Sequence, residues 1–481
     1  MIKKLFPFIA CALLLTGGCG PGKNPDPGSG QEQGGGDGGD QNVVTALTLH
    51  DNNSTAVDLE WTPFGTDSGA SQYVVYVGGT AVKTLPDTTT TCLVGDLVPN
   101  ATCNFKVVAK NAQGDNVAVS NTVTYKVPDV HFKKNVQVAY IGNFSKTVTQ
   151  TMTLEGNLKF MQDNIARNKA ATGDIQIRGL SITIPWNELH PAENTYDWKG
   201  LDDLVKFCGD NGIKCQLSLY AGMYSPDWIY AAGVKGINVT ASSEAMYVPI
   251  PWDQKYMELL TNDIELLAEK YADDPRVQQV QVTGHTYGTL EMHAPDISDY
   301  TSQGIAISPQ IILDNWKYWV DLWGKLFPAK DLVLVLSQMY SGGGNSYNSD
   351  LSRAVTDYFV TKYQGRAILS THQLHGKWDI GPRLEAGGDN DPFRICKEYS
   401  DRAPNGHEMV ASFSNPDRQG TMEMTILNLK YMGNPYFMQF WKNETTQGTF
   451  FGDMQQMYDK YKNMSYQQMK ASLIAEGKYL P

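Results

Sequence analysis

From about residue 136 onward, short apolar segments alternate with amphipathic segments of helical period, and this alternation limits the possible folds more than any other feature. Eight such strand–helix units follow one another and predict a (β/α)8 barrel, or TIM barrel, over residues 129–481. A doubly wound α/β sheet is the alternative, but no strand is followed by a Gly-rich dinucleotide loop. The predicted strands are Val136–Ile141, Ile175–Ile184, Lys214–Tyr220, Val277–Thr283, Leu332–Ser337, Ala367–Thr371, Glu408–Phe413 and Tyr436–Trp441.

Residues 43–128 have a different pattern, in which short alternating segments are separated by turns and no helical period occurs. The segments "AVDLEWTP", "QYVVYVGG", "FKVVAKNAQG" and "NTVTYKV" each alternate apolar with polar residues, as half-buried strands do. A small all-β sandwich is therefore predicted in front of the barrel.

The N-terminus has the pattern of a bacterial export signal. A charged start, "MIKK", precedes the apolar run "LFPFIACALLLTGG", which is too short to cross a bilayer. The segment "LLTGGC" resembles the lipobox of bacterial lipoproteins, which implies a signal peptide over residues 1–18 and a lipid on Cys19; ordinary secretion is the alternative. Residues 19–42, rich in Gly and Pro, predict a flexible tether. The expected location is a bacterial membrane, in particular the outer membrane, and the sequence leaves open whether the lipid faces the periplasm or the cell surface.

The charge balance argues against nucleic acid as a partner. The chain has 39 Lys and Arg against 51 Asp and Glu, a formal net charge of -12, and no long basic run. Phosphate binding needs clustered basic residues. The chain has 25 Tyr and 10 Trp, and aromatic faces can stack on sugar rings, although core packing accounts for most of these residues. No cysteine or histidine spacing matches a zinc motif, so no metal or other cofactor is expected.

The β region resembles a fibronectin type III domain over its whole length. Trp61 stands where that family has its core tryptophan, and "LVPNATCNFKVVAKNAQG" matches its Leu-x-Pro turn and the following strand. Cys103 departs from the pattern, because the family usually has a tyrosine there. The resemblance implies a spacer domain, with glycan binding as the alternative.

The stretch 177–228 resembles the barrel glycoside hydrolases that include cellulases and family 42 β-galactosidases. Their "W-x-x-x-E-P-x-x-G-x-Y-D-W" run appears as Trp186, "ELHPAEN" and "TYDW", and "YSPDW" matches their loop after strand three. The resemblance implies a carbohydrate ligand, a polysaccharide or an oligosaccharide, at the carboxyl ends of the strands. The substrate-binding residues expected there are Trp186, Tyr220, Trp228, His285, Tyr287, His372, His375, Trp378 and Trp441.

The carboxylates that this chemistry needs are not at their expected positions. The resemblance implies one carboxyl at the end of strand four and another at the end of strand seven. In "VQVTGHTYG" Thr286 stands where the acid is expected. In "HEMVASFSNPD" the second position falls near Ser412 or Phe413, and Glu408, which begins the predicted strand, is expected at the other end of the barrel.

Two hypotheses follow. In the first, which we favour narrowly, the protein is a hydrolase whose general acid is Glu291, in "YGTLEMH", with Glu188, Asp379 or Asp417 as the partner. In the second, the barrel has lost both catalytic carboxylates and is a non-catalytic glycan-binding protein at the cell surface. The tether and the spacer domain fit both hypotheses.

Overall fold

The structure is a computed structural model. It describes residues 47–53, 56–64, 69–95, 97, 101–127, 137–141, 154–173, 177–241, 244–287, 291–337, 339, 349–386, 391–433, 435–440, 444 and 449–481. The chain divides into two compact units, Met1–Asp129 and Val130–Pro481. Within these described ranges, none of the helices is long and apolar enough to cross a membrane. The expected signal peptide, the tether and Cys19 lie outside the described residues.

The first unit is a β sandwich, as the alternating pattern predicted. Its described strands are β1 (Leu47–Asn53), β2 (Ala56–Trp61), β3 (Gln72–Val77), β4 (Thr80–Pro86), β5 (Thr91–Val94), β6 (Thr102–Lys110), β7 (Asn116–Val119) and β8 (Val123–Lys126). Strands β1, β2 and β5 form one sheet, and the others form the second. Trp61 is buried in the core, with its ring 5.7 Å from that of Tyr73.

The second unit is a closed barrel of eight parallel strands, which confirms the predicted fold. In barrel order they are β9 (Gln137–Ile141), β10 (Gly179–Pro185), β11 (Lys214–Tyr220), β14 (Val277–Gln281), β15 (Asp331–Val335), β16 (Ala367–Leu374), β17 (Asn405–Met409) and β18 (Pro435–Phe440). An antiparallel hairpin of β12 (Gly236–Ala241) and β13 (Glu244–Pro249) is inserted after the third barrel strand.

The helices of the second unit lie in the connections that follow the barrel strands. They are α1 (Leu154–Thr172), α2 (Trp186–Leu189), α3 (Lys199–Asp210), α4 (Trp228–Ala231), α5 (Gln254–Tyr271), α6 (Ile297–Thr301), α7 (Pro309–Leu326), α8 (Ser349–Lys362), α9 (Ile380–Glu385), α10 (Asp391–Glu398), α11 (Pro416–Gln419), α12 (Met422–Met432), α13 (Phe450–Tyr461) and α14 (Tyr466–Ala475).

Helix α7 shows how these helices attach to the barrel. It starts at an N-cap, Ser308, whose hydroxyl accepts a hydrogen bond from a backbone N–H of the first turn, and Pro309 follows at the first helical position. Trp316, Trp319 and Trp323 recur at helical spacing, and all three are fully buried. Three large rings on one face fix the helix against the barrel wall.

The seventh barrel strand lies earlier in the chain than the sequence pattern predicted. The apolar run "MVASF" indicated a strand over 408–413, but β17 ends at Met409. The backbone N–H of Ala411 donates to the side chain of Gln419, and Asn415 closes a turn on Ser412. These bonds replace the sheet ladder, so the chain leaves the barrel four residues before the predicted end, Phe413. Glu408 therefore lies near the carboxyl end of the strand.

Candidate active site

The carboxyl end of barrel strand seven carries a buried carboxyl group. Glu408 is the fourth of the five residues of β17 and is 8% exposed. Its Oε2 accepts a hydrogen bond of 2.7 Å from Nε2 of Gln439 on β18, and lies 3.6 Å from Nδ1 of His372 on β16. Side chains from three neighbouring strands, β16, β17 and β18, thus meet at the carboxyl group of Glu408. The expectation that Glu408 lies at the other end of the barrel is wrong, because of the earlier strand.

Glu291 is the second carboxyl group of this site. Burial raises the pKa of Glu408 to about 8, and the negative charge of Glu291 adds to this rise. His372 supplies no compensating charge at neutral pH, because burial lowers its pKa to about 4. The influence of one carboxyl on the other means that they lie within the range of direct electrostatic interaction. The fold therefore brings a residue that follows strand four close to a residue of strand seven.

Backbone hydrogen bonds fix the segment that carries Glu291. The N–H of Met292 donates to the carbonyl of Val335 at 2.9 Å, and the N–H of Tyr287 donates to the carbonyl of His293 at 3.2 Å. Glu291 is half-buried between these anchors. Thr286, at the position where the resemblance places the acid, is 2% exposed. Within the described part of this segment, Glu291 is thus the only carboxylate that affects Glu408 electrostatically. It lies five residues after Thr286, the position where the resemblance places the acid.

Two rings expected to bind sugar are inaccessible. Trp186 is fully buried, its Nε1 donates to Asp263, and its ring lies 5.9 Å from that of Tyr256. His285 is 1% exposed, hydrogen-bonds through Nδ1 to Oδ1 of Asn315, and has a pKa lowered by burial to about 4. The prediction that Trp186 and His285 contact substrate is wrong, because both are core residues that anchor loops.

The predicted carboxylate partners of Glu291 also have other positions. Asp379 is fully buried: it caps α9 and accepts hydrogen bonds from the hydroxyls of Tyr466 and Tyr479. It serves the C-terminal segment, so its candidacy as a catalytic partner is a wrong prediction. Glu188 lines a cavity of about 30 Å³ together with α3 residues such as Leu201 and Leu204. That cavity lies between β10 and α3, on the helix side of the barrel wall.

Three other predicted contacts lie at the ends of strands three and four. Tyr220, at the end of β11, is half-buried with its ring 4.7 Å from that of Tyr224. Trp228 is half-buried, and its Nε1 donates to the carbonyl of His190 at 2.9 Å. Tyr287 is 8% exposed. Their binding of substrate stays a prediction.

The loop after strand six holds its aromatic ring by internal contacts. The ring of Trp378 lies 4.6 Å from that of His375, and the guanidinium carbon of Arg383 lies 4.2 Å from the Trp378 ring centroid. One face of Trp378 is therefore covered by Arg383 and closed to a sugar. Burial lowers the pKa of His375 to about 4, so its imidazole is neutral at pH 7. Trp441 lies outside the described residues.

Three polar residues near the ends of strands seven and eight are not among the site residues predicted from the sequence. Besides Glu408 and Gln439, Glu444 is 1% exposed and accepts hydrogen bonds from the hydroxyl of Ser412 and, at 2.5 Å, from the N–H of Phe413. The signal for Glu408 was present, because "SNP" marks a turn at which strand seven had to have ended. In the described part of the chain, no group of three His, Cys, Asp or Glu residues is placed to hold a metal ion.

Family models identify the class of each unit. Residues 161–303 match the Glyco_hydro_42 model, described as β-galactosidase, and residues 42–126 match the fibronectin type III domain model. Both resemblances expected from the sequence motifs are thereby confirmed. The protein combines a fibronectin type III-like sandwich with a glycoside hydrolase-like barrel. The barrel match includes Glu291 and ends before Glu408.

Particular solved structures are similar to each unit. A β-galactosidase from the psychrophilic Marinomonas ef1 is 11% identical over 63% of this chain and 53% of that chain, with a TM-score of 0.39. This chain thus spans about half the length of that enzyme. The third fibronectin III domain of human KIAA0343 protein is 18% identical over 21% of this chain and 95% of that chain, with a TM-score of 0.17. No curated protein matches the chain significantly.

Proposed function

We propose that the protein is a glycoside hydrolase that acts on a polysaccharide or an oligosaccharide, with Glu291 and Glu408 as its two catalytic carboxyl groups. The observation that carries this proposal is the electrostatic effect of Glu291 on the buried Glu408. Glycoside hydrolysis needs one carboxyl that protonates the leaving oxygen and one that attacks the sugar or activates water. The match of residues 161–303 to a β-galactosidase model supports a carbohydrate substrate.

Glu291 and Glu408 together hold one proton, which is the number that this reaction needs. At pH 7 Glu408, with a pKa of about 8, is protonated, while Glu291 is the ionised neighbour that helps to raise it. We assign the acid role to Glu291, which follows strand four, and the attacking role to Glu408 on strand seven. This assignment requires the proton to pass from Glu408 to Glu291 when the sugar binds. The hydrogen bond from Gln439 favours the ionised form of Glu408 after that transfer.

Two β-galactosides with different leaving groups test the assignment. A dinitrophenolate departs without protonation, whereas the sugar alcohol of a disaccharide needs an acid. Glu291→Gln is expected to keep most turnover of the dinitrophenyl galactoside and to lose about 100-fold or more on the disaccharide. Glu408→Gln is expected to lose both activities. The matched control is Glu193→Gln, an exposed carboxylate of the loop after strand two, which is expected to behave as wild type.

If Glu408→Gln keeps turnover of the dinitrophenyl galactoside and Glu291→Gln loses both activities, the two roles are exchanged. Unchanged turnover in both variants would show that this pair is not catalytic. A panel of other dinitrophenyl glycosides extends the test beyond galactose. If the wild-type protein binds glycan and cleaves none of these substrates, the second candidate function holds, that of a non-catalytic glycan-binding protein. Its supporting observation is the buried Thr286 at the expected position of the acid.

We also propose that Cys19 is lipidated and that the tether and the fibronectin type III-like unit hold the barrel away from a bacterial outer membrane. The support is the lipobox-like "LLTGGC" and the Gly-rich segment that follows it. Labelled palmitate should enter the wild-type protein in a bacterial host and should not enter Cys19→Ala. Incorporation of labelled palmitate into Cys19→Ala would overturn the proposed lipidation of Cys19.

A further inference from the structure

A group of exposed and half-exposed apolar side chains lies beside the end of barrel strand three. We call it the aromatic platform, and in it Tyr247 is 49% exposed and Met223 is 36% exposed. We propose that this platform binds sugar units of a polysaccharide chain at a distance from the bond that is cleaved. The inference rests on the proposed carbohydrate function. The members of the platform are Tyr220, Met223, Tyr224, Tyr230 and Tyr247.

The platform is continuous from the barrel to the inserted hairpin. The ring of Tyr220, at the end of β11, lies 4.7 Å from that of Tyr224, which belongs to a 3₁₀ turn over Gly222–Tyr224. Strand β13 packs against this turn and carries Tyr247, whose ring lies 4.9 Å from that of Tyr230. The platform therefore contains two pairs of contacting rings, joined by the packing of β13 on the 3₁₀ turn, and it starts at a strand end.

The exposed ring of Tyr247 has a fixed orientation. It lies over Gly236, where a Cβ atom would come within 2.8 Å of two ring atoms. Its hydroxyl accepts a hydrogen bond of 3.1 Å from the N–H of Gly236, and the hydroxyl of Tyr230 donates to the Tyr247 carbonyl at 3.1 Å. A ring held in this way loses little conformational freedom when a ligand stacks on its open side, which favours binding.

The hairpin itself is anchored to the connection after strand four. Oε1 of Gln303 accepts a hydrogen bond from the N–H of Asn238 at 2.9 Å, and its Nε2 donates to the Asn238 carbonyl at 2.8 Å. Gln303 follows α6, in the connection that begins with the Glu291 segment. The platform is thus attached to the same connection as the candidate acid.

The turn of the platform also contacts the candidate site directly. The N–H of Met223 donates to the carbonyl of Tyr287 at 2.8 Å. Gly222 has a φ of 61°, and a Cβ there would lie 2.1 Å from that carbonyl oxygen, so only glycine permits this approach. Because Tyr287 is four residues from Glu291, the platform is attached to the segment that carries the candidate acid. This attachment to a candidate carbohydrate site favours a polysaccharide over a protein partner.

Affinity electrophoresis of the full mature protein in gels that contain soluble galactan, galactomannan or xyloglucan tests the platform. We expect at least one polymer to retard the wild-type protein, and Tyr247→Ala and Met223→Ala to bind it between about threefold and tenfold more weakly. Tyr247→Phe keeps the ring and should retain binding, which separates loss of stacking from loss of the hairpin. The matched control is Tyr318→Ala, a tyrosine that is 37% exposed on α7.

The outcomes separate this inference from the proposed hydrolase. Weaker polymer binding of Tyr247→Ala with no hydrolysis by wild type supports the platform and overturns the enzyme. If wild type and Tyr247→Ala have the same ratio of the hydrolysis rate on the polymer to that on a monoglycoside, the platform is overturned and the proposed hydrolase remains. Failure of every polymer to retard wild type also overturns the platform. A change from dimer to monomer on Met223→Ala, without a change in polymer binding, would make the surface a contact between copies of the chain and overturn the proposal.

Discussion

Asp263 on α5 shows how one buried side chain organises the loop that follows strand two. It is 1% exposed and accepts hydrogen bonds from Nε1 of Trp186, from Nδ1 of His190 at 2.7 Å and from the hydroxyl of Tyr196 at 2.7 Å. All three donors belong to the motif that carries the resemblance to barrel glycoside hydrolases. Asn194, in the same loop, has a φ of 61°, at the position where the motif has glycine. The motif is therefore structural in this chain.

Asp263→Asn should lower the free energy of unfolding of the barrel by about 2 kcal/mol. An amide has a single acceptor oxygen in place of two, so at least one buried donor loses its partner. Urea unfolding measures the effect. The control is Asp203→Asn, which removes only the exposed ion pair with Lys199 and should change stability by less than about 0.5 kcal/mol. Equal effects of the two substitutions would contradict this account.

At the scale of elements, the sequence predicted the existence of every barrel strand, and the ends of β11 were correct at both termini. The predicted bounds of strand seven were the most consequential error. The strand starts three residues earlier than predicted, which moves Glu408 from one end of the barrel to the other. The apolar run after it looked like strand, while the bonds of Ala411 and Asn415 that end the strand depend on a helix and a turn further along. Periodicity carries no information about such partners.

Contacts between distant elements explain the other errors of the sequence analysis. Asp379 and Tyr479 are 100 residues apart, and Trp186 and Asp263 are 77 residues apart. Both Trp186 and Asp379 stand close to the end of a barrel strand, which is where ligand contacts are expected. Only the packing of α5 and of the C-terminal segment decides that they are structural. Apart from Glu408, residues that follow the strands could therefore be placed at the correct end of the barrel, but structural residues could not be separated from candidate ligand contacts.

The C-terminal segment depends on Asp379. This buried carboxylate accepts hydrogen bonds from Tyr466 and Tyr479 and forms an ion pair of 2.8 Å with Lys470. Asp379→Asn should lower the free energy of unfolding by about 3 kcal/mol, because a partly buried ammonium loses its counter-charge. We also expect faster digestion of α14 by a protease under native conditions.

The control for this prediction is Glu476→Gln. Glu476 forms an ion pair of 3.0 Å with Lys460 on the surface of the same C-terminal region, and it should be tolerated because exposed pairs contribute little. If Asp379→Asn leaves both unfolding and the digestion of α14 unchanged, the anchoring role assigned to Asp379 is incorrect.

For the whole molecule, buried titratable groups predict a stability maximum near pH 7. Burial lowers the pKa of His285, His372 and His375 to about 4 and that of His407 to about 3. An unfolded histidine has a pKa of about 6.5. As the pH falls from 6.5 towards 4, the unfolded chain binds protons that the folded chain does not, so stability is lost.

Glu408 acts in the opposite direction. Its pKa is about 8 in the folded protein against an ordinary value of 4.5, so the folded chain holds one more proton between these values and stability falls as the pH rises through them. At pH 6.5 the four unfolded histidines still bind about two protons in total, which outweighs the single proton of Glu408, and the two contributions balance near pH 7. Above about pH 7, Glu408 dominates among these five groups. Each linked proton changes the free energy of unfolding by at most about 1.4 kcal/mol per pH unit.

Urea unfolding followed by tryptophan fluorescence between pH 4.5 and 8.5 measures both limbs, because every tryptophan except Trp61 belongs to the second unit. Wild type should be most stable near pH 7 and lose stability on either side. Glu408→Gln cannot release a proton, so the decline above about pH 7 should disappear, while the loss of stability at acidic pH remains. A decline that persists unchanged in Glu408→Gln would show that another group causes it and that the pKa of Glu408 is not raised in the folded protein.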